Sequence, residues 1–250
     1  MSNPSRYDLI VFGATSFVGQ ILCRHLVGRH GTDGDLRWAM AGRSEAKLAE
    51  VSASTGASVD RLVADAMRPE DMDDLAARSR TIVSTVGPYA RYGSELVRAC
   101  AQAGTDYCDL TGEPQWMQSM IDAYQSTAQE RGARIVHACG FDSIPSDLGV
   151  WFTQREAIER FGEPCTAIAM RVQALKGGAS GGTIASMANV LDEVRADPGL
   201  RKVLGNPYAL APEGERTGPR QPSVNLPTDD DVSGQCLHDA ASRGRFHGAS

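Results

Sequence analysis

Short apolar runs alternate with segments of helical periodicity from residue 7 to residue 139. The runs are YDLIVFG (7–13), LRWAMAG (36–42), RLVAD (61–65), TIVSTVG (81–87), DYCDL (106–110) and ARIVHAC (133–139). Strand–helix alternation with strands this apolar predicts a parallel sheet that helices cover on both faces. Six such strands predict an α/β fold with the doubly wound Rossmann order 3-2-1-4-5-6.

The pattern changes after Gly149. We expect a helix over 147–160, a strand over 166–175, a glycine-rich loop and a helix over 183–195. Prolines and the run Asp229–Asp231 predict irregular or disordered chain beyond Gly205. One strand and two helices cannot bury a sheet face. The sequence therefore predicts a Rossmann domain over 1–146, an incomplete α+β substrate domain over 147–204 and an irregular tail over 205–250.

Charge and composition exclude several functions. The formal charge of -6 argues against nucleic acid as a partner, because phosphate binding needs a basic face. No apolar stretch is long enough for an integral membrane segment, and the first residues lack a signal sequence. The six cysteines include no CxxC pair, so no metal site is predicted. These features predict a cytoplasmic protein.

The segment VFGATSFVGQ (11–20) joins the first predicted strand to the first helix. Its two glycines are spaced GxxxxxG, which suits a tight turn that presents helix N–H groups to a pyrophosphate. The predicted cofactor-binding residues here are Gly13, Ala14, Thr15, Ser16, Phe17, Val18 and Gly19. A purely structural glycine turn is the alternative.

The end of the second strand, AGRSEAKL (41–48), bears on the choice of cofactor. An NAD enzyme places a carboxylate here, whereas the guanidinium of Arg43 suits the 2′-phosphate of NADP. Ser44 and Lys47 are further predicted ligands, and Glu45 argues the other way. Asp65 ends the third strand and is a predicted adenine contact. The sequence favours NADP over NAD, with a solvated surface role for Arg43 as the alternative.

The ends of the later strands supply the remaining candidates near the nicotinamide. The segment STVGPYARYG (84–93) contributes the predicted cofactor residues Thr85, Val86, Gly87 and Pro88. Tyr89 and Tyr92 follow as a predicted catalytic residue and a predicted substrate residue, with ordinary loop packing as the alternative. Strand five ends in DYCDLTGE (106–113), which places Asp109, Thr111 and Glu113 on the same rim.

Two polar segments complete the predicted site. In HACGFDSIPSDLG (137–149), Asp142 and Ser143 are predicted catalytic residues, with a hydrogen-bonded interdomain turn as the alternative. In KGGASGGTIASM (176–187), Lys176, Ser180 and Thr183 are predicted to bind a thioester carbonyl or a carrier phosphate. A flexible connection is the alternative for the second segment.

Taken together, VFGATSFVG, AGR, VGPYARYG, YCDLTGE and GFDSIPSDLG resemble the saccharopine dehydrogenase-like oxidoreductases over residues 7–210. The most similar branch is the mycobacterial trans-acting enoyl reductases. The resemblance implies NADPH-dependent reduction of an α,β-unsaturated acyl or polyketide thioester in lipid biosynthesis. It also implies a small or carrier-bound acyl substrate, a polyketide synthase as partner, and peripheral membrane association as one option for location.

The chain departs from that family in length. Family members are longer and complete a second α/β domain, so we expect this chain to be truncated at its carboxyl end or altered by a frameshift. Two alternatives stay open. One is a saccharopine-type oxidoreductase acting on a C–N bond, which would need cationic residues for two or more carboxylates. The other is a non-catalytic nucleotide-binding protein.

Overall fold

A computed structural model describes residues 6–141, 143–170, 181–212 and 214–218 of the chain. The chain divides into two compact units. One comprises Met1–Gly140 and Ala179–Val203, and the other comprises Phe141–Gly178 and Leu204–Ser250. The helix near residue 190 therefore groups with the amino-terminal unit. The division at residues 146 and 204 stays a prediction.

Six parallel strands form one sheet in the first unit. They are β1 (Tyr7–Phe12), β2 (Trp38–Gly42), β3 (Asp60–Val63), β4 (Ser79–Ser84), β5 (Asp106–Asp109) and β6 (Ile135–Val136). Their order in the sheet is β3-β2-β1-β4-β5-β6, and every neighbouring pair is parallel. The predicted doubly wound Rossmann order is confirmed.

Helices follow the strands in alternation. They are α1 (Phe17–His30), α2 (Glu45–Thr55), α3 (Pro69–Ala77), α4 (Tyr89–Tyr92), α5 (Ser94–Ala103), α6 (Pro114–Arg131), α7 (Ile144–Phe161), α8 (Gly181–Ala196) and α9 (Leu200–Leu204). No helix within the described ranges is long and apolar enough to cross a membrane.

Alternate residues of the central strands fill two cores, one on each face of the sheet. On β1, Ile10 and Phe12 join the core made with α3, α5 and α6, whereas Val11 joins the core made with α1 and α2. All three side chains are fully buried or nearly so. Successive strand residues point to opposite faces, so a strand that is covered on both sides must be apolar throughout. This is why the apolar runs predicted the sheet.

The last strand is shorter than its apolar run, which covers residues 133–139. Ala138 has a φ of 57°, in the left-handed region where alanine cannot continue a strand. Asp109 holds that conformation, because its side chain accepts from Ala138 N–H (3.0 Å) and its carbonyl accepts from Cys139 N–H (2.7 Å). The turn at Ala138 therefore limits β6 to two residues.

Two predicted helices lie close to their expected ranges. The helix predicted over 147–160 begins three residues earlier, at Ile144, and Pro145 occupies its first turn, where a missing N–H breaks no helical bond. The helix predicted over 183–195 spans Gly181–Ala196. The strand predicted over 166–175 is not present in residues 166–170, and residues 171–175 lie outside the described residues.

The buried carboxylate of Glu113 joins three parts of the first unit. It accepts hydrogen bonds from Tyr89 N–H and Ala90 N–H, the first amides of α4, both at 2.9 Å. It also accepts from the Ser186 hydroxyl on α8 at 2.9 Å. Glu113 is only 1% exposed. The carboxylate therefore caps α4 from a distant point in the sequence and fixes α8 beside it.

We expect Glu113→Ala to lower the free energy of unfolding by about 2–4 kcal/mol, because two buried amides and a hydroxyl lose their acceptor. Glu113→Gln keeps one oxygen acceptor and should cost about half as much. Urea unfolding followed by circular dichroism measures both. Glu50→Ala, on the exposed face of α2, is the control and should cost less than about 0.5 kcal/mol. An equal effect of Glu113→Ala and Glu50→Ala would show that Glu113 is no anchor.

The thiols of Cys23, which is buried, and Cys108, which is partly buried, make the free energy of unfolding depend on pH in the alkaline range. Burial raises the pKa of Cys23 to about 11 and that of Cys108 to about 12, from an ordinary value of 9.0. The unfolded chain then releases these protons first, so this part of the stability is complete below pH 9 and is lost as pH rises towards 11. Each thiol should remove about 1.4 kcal/mol per pH unit in that window. Urea midpoints at several pH values measure the slope, which Cys23→Ala should reduce; an unchanged slope would contradict the assignment.

Candidate functional site

A cleft of about 200 Å³ opens at the carboxyl edge of the sheet. It lies where the strand order reverses between β1 and β4, the place at which doubly wound sheets bind ligands. The residues that line it are Phe12, Gly13, Thr15, Ser16, Gly42, Arg43, Asp65, Ala66, Thr85, Val86, Gly87 and Tyr92. Nine of these are sequence-predicted site residues, and they come from the ends of four different strands.

Two glycines shape the turn between β1 and α1. Gly13 has a φ of 86°, and a Cβ atom added there would lie 2.7 Å from both Thr85 Oγ1 and Val86 Cγ2. A Cβ atom at Gly19 would lie 2.2 Å from the Gly13 carbonyl oxygen. Any other residue at either position would force the turn apart. The backbone can therefore approach a bound pyrophosphate at the N-terminus of α1.

Ser16 serves the turn itself. Its hydroxyl accepts from Gly19 N–H (2.9 Å) and caps α1. The same hydroxyl lies 2.9 Å from Thr85 Oγ1, which donates to the Gly13 carbonyl at 2.8 Å. Because the Thr85 hydroxyl proton is directed to the Gly13 carbonyl, the Ser16 hydroxyl must donate its own proton to Thr85 Oγ1. The hydroxyl predicted to meet a phosphate is thus used to hold β4 against the turn.

The other predicted residues of this turn differ in whether they line the cleft, are buried or begin α1. Thr15 lines the cleft. Ala14 is fully buried, and its N–H donates to the Ala41 carbonyl at 3.2 Å. Phe17 and Val18 open α1, where the first N–H groups have no acceptor within the helix. Their contribution to an anion site would come from the backbone, since the Phe17 side chain is 71% exposed.

The far end of the cleft carries the residues predicted to meet the adenosine. Arg43 is exposed and lines the cleft directly after β2. The Ser44 hydroxyl accepts from Lys47 N–H (3.4 Å) and caps α2. Lys47 is exposed but does not line the cleft. Asp65 lines it, with one carboxylate oxygen accepting from Met67 N–H at 3.0 Å.

The loop after β4 forms the wall of the cleft nearest the predicted nicotinamide position. Val86, Gly87 and Tyr92 line it, and the peptide bond between Gly87 and Pro88 is cis. Pro88 precedes the first residue of α4. Tyr92 therefore lies beside the predicted cofactor residues, and its place near the nicotinamide stays a prediction.

Tyr89 differs from Tyr92. Its hydroxyl donates to the Ser84 carbonyl (3.1 Å), accepts from Leu110 N–H (3.4 Å) and is buried. Burial, followed by the charge of Asp109, raises its pKa. A hydroxyl with its proton committed to the backbone is poorly placed to donate to a substrate. The geometry thus favours a structural role for Tyr89 over the catalytic role that the sequence suggested.

Sequence reasoning missed a buried polar network at the ends of β5 and β6. Asp109 accepts from the Tyr107 hydroxyl (2.9 Å), from Thr111 N–H (3.0 Å) and from Ala138 N–H, and it lies 2.7 Å from His137 Nδ1. His137 Nε2 is buried with no hydrogen-bond partner among the described residues. The only signal in the sequence was a pair of polar residues at the ends of adjacent apolar runs.

The remaining predicted residues lie elsewhere. Ser143 directly precedes α7 in the second compact unit, with no side-chain cap hydrogen bond. Thr183 is exposed in the first turn of α8. Asp142, Lys176 and Ser180 lie outside the described residues. The cleft therefore brings together nine of the predicted site residues, whereas Lys47 lies outside it. The catalytic and substrate roles of the proposed residues, including Tyr92, stay predictions.

Most of the chain is similar to curated mycobacterial proteins. A Mycobacterium tuberculosis protein is 46% identical over 230 residues, which cover 91% of this chain and 54% of that protein. The trans-acting enoyl reductase of Mycobacterium ulcerans is 41% identical over 215 residues, which cover 84% of this chain and 51% of that enzyme. The chain thus spans about half the length of the curated relatives it matches.

Among solved structures, saccharopine dehydrogenase (L-Glu forming) from Saccharomyces cerevisiae superposes with a TM-score of 0.50 at 18% identity, over 62% of this chain and 32% of that chain. At this identity the likeness concerns the fold alone. The model of the saccharopine dehydrogenase NADP binding domain family matches residues 9–136, which contain the cleft and all of the sheet except the first two residues of β1. The chain therefore belongs to the family of saccharopine dehydrogenase NADP-binding domains, which confirms both the resemblance and the NADP cofactor that the sequence predicted.

Proposed function

We propose that the protein is an NADPH-dependent oxidoreductase that reduces the carbon–carbon double bond of an α,β-unsaturated acyl or polyketide thioester. The observation that carries the proposal is the cleft at the point where the strand order reverses, in a chain 40–46% identical to trans-acting enoyl reductases and their relatives. The acyl group would be small or attached to a carrier, and a polyketide synthase in lipid biosynthesis is the proposed partner. A cytoplasmic location belongs to the same proposal.

The residues of the cleft fit NADP. The turn at Gly13 leaves no room for a Cβ atom, because its backbone packs directly against Thr85 and Val86. The start of α1 offers N–H groups for the pyrophosphate, and Arg43 offers a guanidinium at the end of β2. When bound, the reduced cofactor supplies a hydride. The chain's own task is to orient the substrate and to exclude water.

Reduction of an enoyl thioester also needs donors for the thioester oxygen, where negative charge develops, and an acid for the α-carbon. Tyr92 is the described residue that we propose for the first task, because it lines the cleft beside Gly87. Ser143 and Asp142 remain proposed for the same end of the site. Lys176, Ser180 and Thr183 remain proposed contacts for the thioester or its carrier. We assign no proton donor.

The role of Arg43 can be tested by titrating nicotinamide fluorescence. We expect Arg43→Ala to weaken NADPH binding by about 10- to 100-fold, the value of one charge-assisted bidentate contact, and to change NADH binding by less than about threefold. Arg29→Ala is the matched control, since Arg29 is exposed on the last turn of α1. Equal losses for NADPH and NADH would contradict the assignment of Arg43 to the 2′-phosphate.

The proposed reaction can be tested with a short enoyl thioester such as crotonyl-coenzyme A. We expect oxidation of NADPH that requires the double bond, with butyryl-coenzyme A as the saturated control and saccharopine with NADP as the C–N control. Turnover should fall at least tenfold in Tyr92→Phe with little change in NADPH affinity. Tight NADPH binding without turnover of any enoyl thioester would instead support a non-catalytic nucleotide-binding protein.

A further inference from the structure

An acidic residue follows Arg43, the residue that we propose as the contact of the 2′-phosphate of NADP. Glu45 is the first residue of α2, two residues after Arg43. Rossmann domains that bind NAD place a carboxylate near this point for the ribose hydroxyls. Beside a 2′-phosphate, an ionised carboxylate raises the free energy of the complex, because like charges repel. A site for NADP therefore has to neutralise Glu45.

Arg61 supplies that charge. Its Nε donates to Glu45 Oε1 at 2.8 Å, across from β3 to the start of α2. The strand register explains the approach, since Arg61 pairs with Met40 and Val63 pairs with Gly42. Arg61 thus lies two pairs before the end of β2, where Arg43 follows. Both side chains of the ion pair are partly exposed, 38% for Arg61 and 53% for Glu45.

We infer that Arg61 is a specificity-determining residue for NADP that acts through Glu45. Its guanidinium cancels the charge of Glu45, and the local charge seen by a 2′-phosphate is then that of Arg43. Arg61 is a positioning residue in this scheme, because the group that it contacts is Glu45. The inference rests on the proposed contact between Arg43 and the 2′-phosphate, but it concerns different residues and is tested with different variants.

An exposed ion pair contributes little to stability, so loss of Arg61 should leave the fold intact. It should change the charge beside the cleft by one unit. At low ionic strength, an uncompensated carboxylate beside the proposed phosphate contact should weaken NADPH binding by about three- to tenfold. NADH lacks that phosphate and should be affected by less than about twofold.

The experiment compares four proteins, the wild type, Arg61→Ala, Glu45→Gln and the double variant, in fluorescence titrations with NADPH and NADH. Arg61→Ala should lose about three- to tenfold in NADPH affinity, and adding Glu45→Gln should restore it. The loss should shrink as salt is added. Arg80→Ala is the matched control, because it breaks the ion pair with Asp8 (3.3 Å) and changes the net charge equally.

The inference is overturned if Arg61→Ala weakens the binding of NADPH and NADH equally, or if Arg80→Ala weakens NADPH binding as much as Arg61→Ala does. It is also overturned if the double variant binds NADPH as weakly as Arg61→Ala, because Arg61 itself would then bind the phosphate. If Arg43→Ala abolishes the preference for NADPH while Arg61→Ala changes nothing, the inference fails and the proposed cofactor contact stands. If the wild type shows no preference for NADPH, both fail.

Discussion

A single buried carboxylate, that of Glu113, fixes the edge of the sheet at which the cleft opens. The loop after β4 lines the cleft, and its short helix α4 is capped by Glu113 rather than by a neighbouring residue. Three hydrogen bonds surround the carboxylate, which is what a buried charge requires. The position of Val86, Gly87 and Tyr92 therefore depends on a residue that does not itself line the cleft.

The polar partners of Glu113 also explain the orientation of α8. This helix turns polar residues towards the rest of the first unit, with Ser186 on Glu113 and Glu193 on Gln115 (3.0 Å). Its large apolar residues Ile184, Met187 and Leu191 are about 60% exposed. Apolar periodicity alone places the opposite face inwards. The buried carboxylate of Glu113 needs hydrogen-bond donors, and this accounts for the polar face that α8 turns towards it.

The sequence predicted the sheet well because a strand that is buried on both faces is a continuous run of apolar residues, as in Ile10, Val11 and Phe12. It also predicted the turn, since only glycine suits the backbone at Gly13 and Gly19. The sequence could not show which hydroxyl groups form hydrogen bonds within the fold. Ser16 and Tyr89 have the right chemistry for a ligand contact, yet the Ser16 hydroxyl is bonded to Thr85 and the Tyr89 hydroxyl accepts from Leu110 N–H, both far away in the sequence. Long-range hydrogen bonds leave no local pattern.

The hydrogen bond from Thr85 to the carbonyl of Gly13 ties the fourth strand to the phosphate turn (2.8 Å). The turn therefore loses its conformational freedom when the sheet folds, and none of that entropy remains to be lost when a dinucleotide arrives. Encounter then needs no slow rearrangement of the turn. Ligands of this cleft that differ in affinity should consequently differ mainly in their dissociation rate constants.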